Sequence, residues 1–195
     1  MELFLARHGQ TLSNAEKRHY GSGEDSPLSE NGIEQAKLLG VSLEGLIFDA
    51  VYSSPLNRAI DTVNIALGNR YKIMIDERLT EINLGAMGGM TRDDASIKYP
   101  RSSTLMSDPI SYIPPPNGEN LDNMIERVTF FLDDIIKKKH NRIFVMTHGY
   151  VLRVLYACTI DKTISTIAKA PIYSNCELVR YTYEDKIWTL NRDIT

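Results

Sequence analysis

Short continuous runs of apolar residues recur along the chain, separated by longer segments of mixed polarity. Three such runs lie at residues 3–6, 50–53 and 141–147, and a weaker one lies at 72–75. Continuous apolar runs of this length predict strands that are buried on both faces. Two further strands are expected on either side of a turn at Glu184-Asp185.

Between these runs, apolar residues at helical spacing predict helices. Residues 29–43 carry such a pattern, with Ser29 placed to cap its N-terminus. Ser54 followed by Pro55 predicts a second helix start, and Arg58 then falls in the first turn. A long helix is expected at residues 121–139, with His140 at its C-terminal end. Residues 99–120 are rich in proline and are expected to be irregular.

Strands that alternate with helices predict a three-layer α/β/α fold with a mostly parallel central sheet and an antiparallel edge. We expect residues 1–195 to form a single domain. In such sheets, ligands bind beyond the carboxyl ends of the strands. Arg7-His8-Gly9 and His148-Gly149 both follow predicted strands, so we expect them at this end.

Composition narrows the classes of function. The 195 residues carry a net charge of −3, which gives no general attraction to nucleic acid or to an acidic membrane. Cys158 and Cys176 form neither a C-x-x-C pair nor a zinc motif, which suits a reducing compartment. The opening residues lack the basic and long apolar regions of a signal peptide. We therefore expect a cytoplasmic protein.

Five residues that follow strand-like runs in separate parts of the chain indicate phosphate chemistry: Arg7, His8, Arg58, Glu81 and His148. A neutral imidazole is a good nucleophile near pH 7, so His8 is a candidate to accept a phosphoryl group. Arg7 and Arg58 offer planar pairs of donors to phosphate oxygens, and a protonated or donating His148 would add to them. Glu81 is the best carboxylic candidate to protonate the leaving oxygen.

Each residue also has an ordinary structural explanation. A histidine such as His148 is often a satisfied core residue, and a glutamate such as Glu81 is usually solvated. The helix dipole disfavours Arg58 in a first turn, which favours an anionic partner for it. The prediction therefore rests on the five residues taken together. Asn14 adds a neutral donor to this set. A metal site of His8 and His148 lacks an adjacent carboxylate, so no metal or cofactor is expected.

At these residues the sequence resembles the histidine phosphatase superfamily, also called the phosphoglycerate mutase-like family, over nearly the whole chain. Residues 5–11 together with Asn14 are similar to the family signature, in which the histidine becomes phosphorylated. Four later blocks also resemble family motifs: residues 25–32, 53–59, 81–89 and 147–149. The resemblance implies a phosphoglycerate mutase-like fold and a phosphohistidine on His8.

Departures from the family pattern fall where the substrate wall is expected. Met87 and Gly88 replace a frequent aromatic-acidic pair, and Asn120 replaces a more usual serine. The mutases of the family resemble one another in having longer chains and more basic residues around a carboxylated substrate. Here the basic residues between positions 81 and 120 are only Arg92, Lys98 and Arg101. Apolar residues of the same region predict a lid or ordinary core: Met87, Met90, Tyr99, Met106, Tyr112, Ile113 and residues 114–116.

These features favour the phosphatase branch, similar to alpha-ribazole or broad-specificity phosphatases. The expected function is a metal-independent phosphomonoester hydrolase acting on a small phosphorylated metabolite, and a homodimer is left open. A phosphoglycerate mutase-type transfer is the alternative among enzymes. A non-catalytic phosphate-recognition module is the alternative from another class, although simple binding needs neither His8 nor Glu81.

Overall fold

Residues 1–16 and 18–191 are described by a computed structural model in which strands and helices alternate. The strands of this part of the chain are β1 (Glu2–Arg7), β2 (Ala50–Ser53), β3 (Ile73–Ile75), β4 (Arg142–Thr147), β5 (Leu178–Glu184) and β6 (Ile187–Asn191). The α-helices are α1 (Leu12–Ala15), α2 (Glu30–Ser42), α3 (Asn57–Leu67), α4 (Arg92–Lys98), α5 (Leu121–Lys137), α6 (Gly149–Cys158) and α7 (Ile164–Lys169). Residues 99–120 contain only short 3₁₀ turns, as the proline content predicts.

The strands form one mixed sheet in the order β3-β2-β4-β1-β5-β6. Strands β1 to β4 are parallel, whereas β5 pairs antiparallel with both β1 and β6. The hairpin between β5 and β6 turns at Asp185 and Lys186, which both have positive φ. This is one residue later than the predicted turn. The prediction of a mostly parallel sheet with an antiparallel edge is confirmed.

Alternate residues of the central strands point to opposite faces of the sheet, which creates two hydrophobic cores. In β1, Leu3 and Leu5 pack with α5 and α6, whereas Phe4 and Ala6 pack with α2 and α3. All four side chains are buried. Helices therefore cover both faces of the sheet, and the predicted three-layer arrangement is confirmed.

Helix α2 begins as predicted, with the Ser29 hydroxyl oxygen accepting a hydrogen bond from the Gly32 amide. The long helix α5 ends two residues earlier than predicted. Its C-cap is Lys138, and Lys139 turns the chain away with φ 51°. His140 lies beyond this turn, so the prediction that it caps the helix is wrong.

The start predicted for α3 at Ser54-Pro55 is also wrong. The helix begins at Asn57, with Leu56 as an N-cap that makes no side-chain capping bond. The Ser54 hydroxyl oxygen lies 2.7 Å from His148 Nε2 and accepts a hydrogen bond at 3.3 Å from the amide of Leu56, which precedes the first residue of the helix. The helix N-terminus receives its acceptor from another part of the chain.

The sequence pattern did not predict α6, and its burial explains why. Nearly all its residues are buried, because the helix packs between the sheet and neighbouring elements. A short and largely apolar run cannot be assigned to a helix or to a buried strand from its periodicity alone. The shorter helices α1, α4 and α7 were also not predicted.

The carboxyl ends of the three central strands lie level with one another. The register pairs Arg7 with Thr147 and Ser53 with Met146. The ladder continues beyond these pairs, since the His8 amide donates to the Thr147 carbonyl and the Ser54 amide to the Met146 carbonyl. The residues that follow β1, β2 and β4 are therefore neighbours. No helix within residues 1–16 and 18–191 is long and apolar enough to cross a membrane.

Candidate active site

A small cavity opens at this level end of the sheet, and we call it the inner cavity. Its volume is about 70 Å³. It is lined mainly by polar side chains, among them Arg7, His8, Asn14, Arg58 and Glu81. Five of the six residues predicted from the sequence to act on phosphate thus share one cavity. The sixth, His148, lies behind His8, with the two ring centres 5.1 Å apart.

The protonation state of His8 follows from its hydrogen bond. Its Nδ1 lies 2.7 Å from the Gly9 carbonyl oxygen, and a carbonyl oxygen can only accept. Nδ1 therefore carries the proton, and Nε2 keeps its lone pair. Burial, together with repulsion from Arg58 and Arg7, holds the pKa of His8 well below its usual value. Both effects favour a neutral, nucleophilic imidazole.

His148 is fully buried, and its Nε2 lies 2.7 Å from the Ser54 hydroxyl oxygen. Burial, and then the nearby His8 and Arg58, hold the pKa of His148 well below its usual value, which favours the neutral form over the protonated form. Its Nδ1 is buried without a hydrogen-bond partner among the described residues. A buried polar atom without a partner is costly, so this nitrogen is a candidate to contact a ligand.

Arg7 approaches the inner cavity from the end of β1. Its Nη1 donates to the Tyr173 carbonyl at 2.7 Å, which fixes the guanidinium at one corner. The Nε is buried and without a partner in the described chain. Gly149 leaves room for the side chain, because a Cβ there would lie 3.3 Å from this Nε. Free donors of Arg7 therefore remain for a ligand.

Arg58 has a buried anionic partner that the sequence reasoning did not identify. Its Nη1 lies 3.1 Å from Asp25 Oδ1, and both side chains are largely removed from solvent. Asp25 also accepts from the backbone amides of Asn57 and Arg58, and so it caps α3 from outside the helix. Arg58 further donates to the Gly21 carbonyl at 2.7 Å. Asp25 is therefore an anionic partner of the kind expected for Arg58 from its position in the first turn of a helix.

Glu81 lies at the mouth of the inner cavity, and two backbone amides hold its carboxylate. The amide of Ile82 donates to Oε1 at 3.0 Å, and that of Tyr150 donates to Oε2 at 3.2 Å. The second contact ties Glu81 to the first turn of α6, close to His148. The carboxyl group is thus fixed beside the inner cavity, where it can exchange a proton with a bound molecule.

Asn14 is oriented by two donors to its side-chain oxygen. Oδ1 accepts from the Thr11 amide at 3.2 Å and from Asn175 Nδ2 at 3.4 Å. The Asn14 Nδ2 is therefore the atom left for a ligand in the inner cavity. Asn175 was not found from the sequence, and no sequence pattern marked it.

A larger cleft adjoins the inner cavity and shares Arg7, Arg18 and Glu81 with it. We call this the outer cleft, and its volume is about 160 Å³. Its wall combines apolar side chains with basic ones: Ile82, Leu84, Met87, Leu105, Met106 and Ile172 are apolar, and Arg18, His19 and Arg153 are basic. Of the apolar residues predicted to form a lid or core, Met87 and Met106 line this cleft, and Met87 and Tyr112 belong to the hydrophobic core.

The loop that carries His8 is held against α2 by close backbone contact. A Cβ on Gly9 would lie 2.6 Å from the carbonyl oxygen of Gly32, so only glycine fits there without movement. The Gly9 amide donates to the Thr62 hydroxyl at 2.9 Å. These contacts fix the loop between two helices. In residues 1–16 and 18–191, no group of three or more His, Cys, Asp or Glu side chains is arranged to hold a metal ion.

Comparison with known proteins identifies the family of the chain. The family model described as histidine phosphatase superfamily (branch 1) matches residues 3–193. A 2,3-bisphosphoglycerate-dependent phosphoglycerate mutase from Parvibaculum lavamentivorans is 35% identical over 162 residues, which cover 78% of this chain and 77% of the mutase. Phosphoserine phosphatase 1 from Hydrogenobacter thermophilus is 30% identical, covering 85% of this chain and 79% of that protein.

Among solved structures, the alpha-ribazole phosphatase from Shigella flexneri superposes with a TM-score of 0.88. The two sequences are 27% identical, and the superposition covers 98% of this chain and 95% of the other. The predicted fold and the family resemblance are therefore confirmed. The roles of the individual site residues stay predictions.

Proposed function

The chain belongs to the histidine phosphatase superfamily, and we propose that it is a phosphomonoester hydrolase in which His8 accepts the phosphoryl group. The observation that carries the proposal is the fixed tautomer of His8, whose Nε2 lone pair is free in a cavity that the guanidinium groups of Arg7 and Arg58 also line. This combination provides a nucleophile together with the positive charge that a phosphoryl group requires.

In the first step, Nε2 of His8 attacks phosphorus and the bond from phosphorus to the ester oxygen breaks. The free donors of Arg7 and Arg58 bind the three outer oxygens, whose charge they stabilise in the transition state. If the Ser54 hydroxyl donates to His148 Nε2, then His148 Nδ1 carries a proton and can donate to one of these oxygens.

The oxygen that leaves an alkyl phosphate is strongly basic and needs a proton as the bond breaks. Glu81 adjoins both the inner cavity and the outer cleft, so it lies where the ester oxygen joins the phosphoryl group to the alcohol. We assign Glu81 as the proton donor. The alcohol then leaves through the outer cleft.

In the second step, a water molecule attacks phosphorus from the side opposite His8. Glu81, now a carboxylate, takes a proton from this water, and the bond from phosphorus to His8 Nε2 breaks. The products are inorganic phosphate and a neutral His8, and Glu81 has regained its proton. The cycle therefore balances without a metal ion or a cofactor.

The substrate class follows from the two connected spaces. The inner cavity accommodates a phosphoryl group, and the outer cleft accommodates the alcohol of a small phosphorylated metabolite. The apolar part of its wall suits an alcohol with a non-polar surface. The names of the Hydrogenobacter and Shigella proteins support hydrolysis as the reaction.

A mutase reaction is the second candidate, and the identity to the Parvibaculum mutase favours it. A mutase would return the phosphoryl group from His8 to another hydroxyl of the substrate, whereas a hydrolase passes it to water. A recognition module without turnover would bind phosphate and leave His8 unmodified. The fate of the phosphoryl group therefore separates the three functions.

The test is to trap the intermediate. The protein is mixed with a nitrophenyl phosphate labelled at phosphorus and quenched within milliseconds in alkali, because phosphohistidine is lost in acid. We expect the label on His8 and a burst of nitrophenol. The variant His8→Asn should lose both, while it keeps a donor for the Gly9 carbonyl. A parallel assay with 3-phosphoglycerate measures isomerisation.

Label on a serine, a cysteine or a carboxylate would overturn the proposal. Isomerisation faster than release of inorganic phosphate would favour the mutase. Tight binding of inorganic phosphate with no label and no turnover would favour the recognition module.

A further inference from the structure

One side chain outside the inner cavity touches two of its components. Asn175 lies in the segment that precedes β5, 167 positions along the chain from His8. Its Nδ2 donates to the His8 carbonyl oxygen at 2.9 Å and to Asn14 Oδ1 at 3.4 Å. A single amide group thus connects the backbone of the nucleophile with a donor of the cavity.

The orientation of the Asn175 amide is dictated by its neighbours. The atoms nearest to it, the His8 carbonyl oxygen and Asn14 Oδ1, are both acceptors in this arrangement. Turning the amide over would place its oxygen against these oxygens and lose both hydrogen bonds. The orientation of Asn14 follows, because its Oδ1 faces two donors and its Nδ2 is left for the inner cavity.

The segment that carries Asn175 is held in place by other contacts. The Cys176 amide donates to the Arg7 carbonyl at 3.0 Å, and Arg7 Nη1 donates to the Tyr173 carbonyl at 2.7 Å. Replacing the Asn175 side chain therefore leaves the backbone of the segment anchored on both sides. The side chain itself is partly buried, and within the described part of the chain it is hydrogen-bonded to the two site residues alone.

We propose that Asn175 is a positioning residue for the phosphoryl transfer described above. It holds the backbone of His8 and turns the amide donor of Asn14 towards the phosphoryl group. This inference rests on the proposed function. The segment that carries Asn175 thereby determines that Asn14 presents its amide donor, and not its oxygen, to the anion in the inner cavity.

The substitution Asn175→Asp tests this role, because it preserves shape and removes the donor. An ionised carboxylate would face the His8 carbonyl and Asn14 Oδ1, and Asn14 would be driven to turn its own oxygen towards the anion. We expect the affinity for inorganic phosphate and kcat/KM to fall roughly 10- to 100-fold, the range for a lost hydrogen bond to a charged group. Asn64→Asp places the same charge on the exposed face of α3 and should change neither quantity.

The pH dependence separates positioning from a general structural role. A protonated aspartic acid can again donate through its hydroxyl, so the defect of Asn175→Asp, taken relative to the wild type, should shrink as the pH falls. Asn175→Ala cannot recover a donor, and its relative defect should not change with pH. If both variants showed the same defect at every pH, the positioning role would be excluded.

A double-mutant cycle with Asn14→Ala tests the connection between the two amides. If Asn175 acts through Asn14, the effects of the two substitutions on phosphate binding should be less than additive. Full additivity, or an Asn175→Asp variant indistinguishable from Asn64→Asp, would overturn the inference. Failure of the wild type to bind phosphate or to form phosphohistidine would instead overturn the proposed function. Thermal melting of every variant confirms that the comparison is between folded proteins.

Discussion

The carboxylate of Asp25 forms an ion pair with the guanidinium of Arg58 and also caps the helix on which Arg58 lies. Two conflicts are resolved by this one contact. A buried cation requires a partner, and a cation in the first turn of a helix opposes the helix dipole. The loop of residues 21–25 thereby holds Arg58 in position before any ligand binds.

We expect Asp25→Ala to lower the free energy of unfolding by about 3–5 kcal/mol, the range for removing one partner of a buried ion pair. Urea denaturation of the folded protein measures this change. Asp93→Ala is the matched control, since Asp93 is exposed in the first turn of α4. A change for Asp25 no larger than that for Asp93 would mean that the ion pair contributes little to stability.

Substitutions of Arg7 and Arg58, which we assign to the phosphoryl group, should lower activity far more than substitution of an exposed arginine. Arg7→Ala and Arg58→Ala each remove donors to the phosphoryl oxygens, and we expect kcat to fall about 10²- to 10³-fold for each. Arg92→Ala, on the surface of α4, should retain the activity of the wild type. Equal effects of all three substitutions on steady-state turnover would show that the cavity has been assigned wrongly.

The role of Glu81 is tested by comparing leaving groups. With an alkyl phosphate, Glu81→Gln should slow phosphoryl transfer to His8 about 10²- to 10⁴-fold, as loss of a general acid does. A nitrophenyl phosphate needs little protonation to leave, so its burst phase should be nearly unchanged. Rapid-mixing experiments measure both bursts. An equal loss for the two substrates would mean that Glu81 positions the phosphate or supports the fold.

The buried histidines should make stability depend on pH. Burial, and then repulsion from Arg58, holds the pKa of His8 well below its usual value of 6.5. Below pH 6.5, His8 binds a proton in the unfolded chain but not in the folded chain. The free energy of unfolding should therefore decrease as the pH falls. His8→Asn should flatten this dependence when urea unfolding is measured between pH 5 and 7. If the substitution leaves this pH dependence unchanged, His8 has the same pKa in the folded and unfolded chain, which would contradict the prediction.

Activity should survive exhaustive treatment with a chelator. In the proposed reaction the positive charge at the phosphoryl group comes from Arg7, Arg58 and a donor on His148, which replace the charge of a metal ion. Turnover before and after dialysis against EDTA, with metal content checked by elemental analysis, provides the measurement. A loss of activity that a divalent ion restores would contradict the prediction.

The sequence predicted those parts of the fold that depend on local pattern. Strands β1, β2 and β4 are short apolar runs buried on both faces, and α2 carries a cap and an amphipathic period. Helix α6 was not predicted, because a short and largely apolar run can form either a buried strand or a buried helix. The prediction that Ser54 caps α3 was wrong, because the rule considers only neighbours in sequence. The Ser54 hydroxyl bonds the Leu56 amide and His148, whereas Asp25 accepts from the first amides of the helix.

The sequence predicted those site residues whose side chains are themselves reactive or charged. His8, Glu81 and the two arginines have reactive or charged groups that follow strand-like runs. Asp25 and Asn175 could not be found in this way. Asp25 acts on a residue 33 positions away, and Asn175 on one 167 positions away, so their roles exist only once the chain is folded.

The separation between the inner cavity and the outer cleft has a consequence for divergence within the superfamily. The groups around the phosphoryl position come mainly from strand ends and the loops locked against α2 and α3, where a change disturbs the whole fold. The apolar wall comes in part from the irregular residues 99–120, which contribute Leu105 and Met106 but no strand to the sheet. Substitutions in residues 99–120 can therefore reshape the outer cleft without disturbing the loops that form the inner cavity.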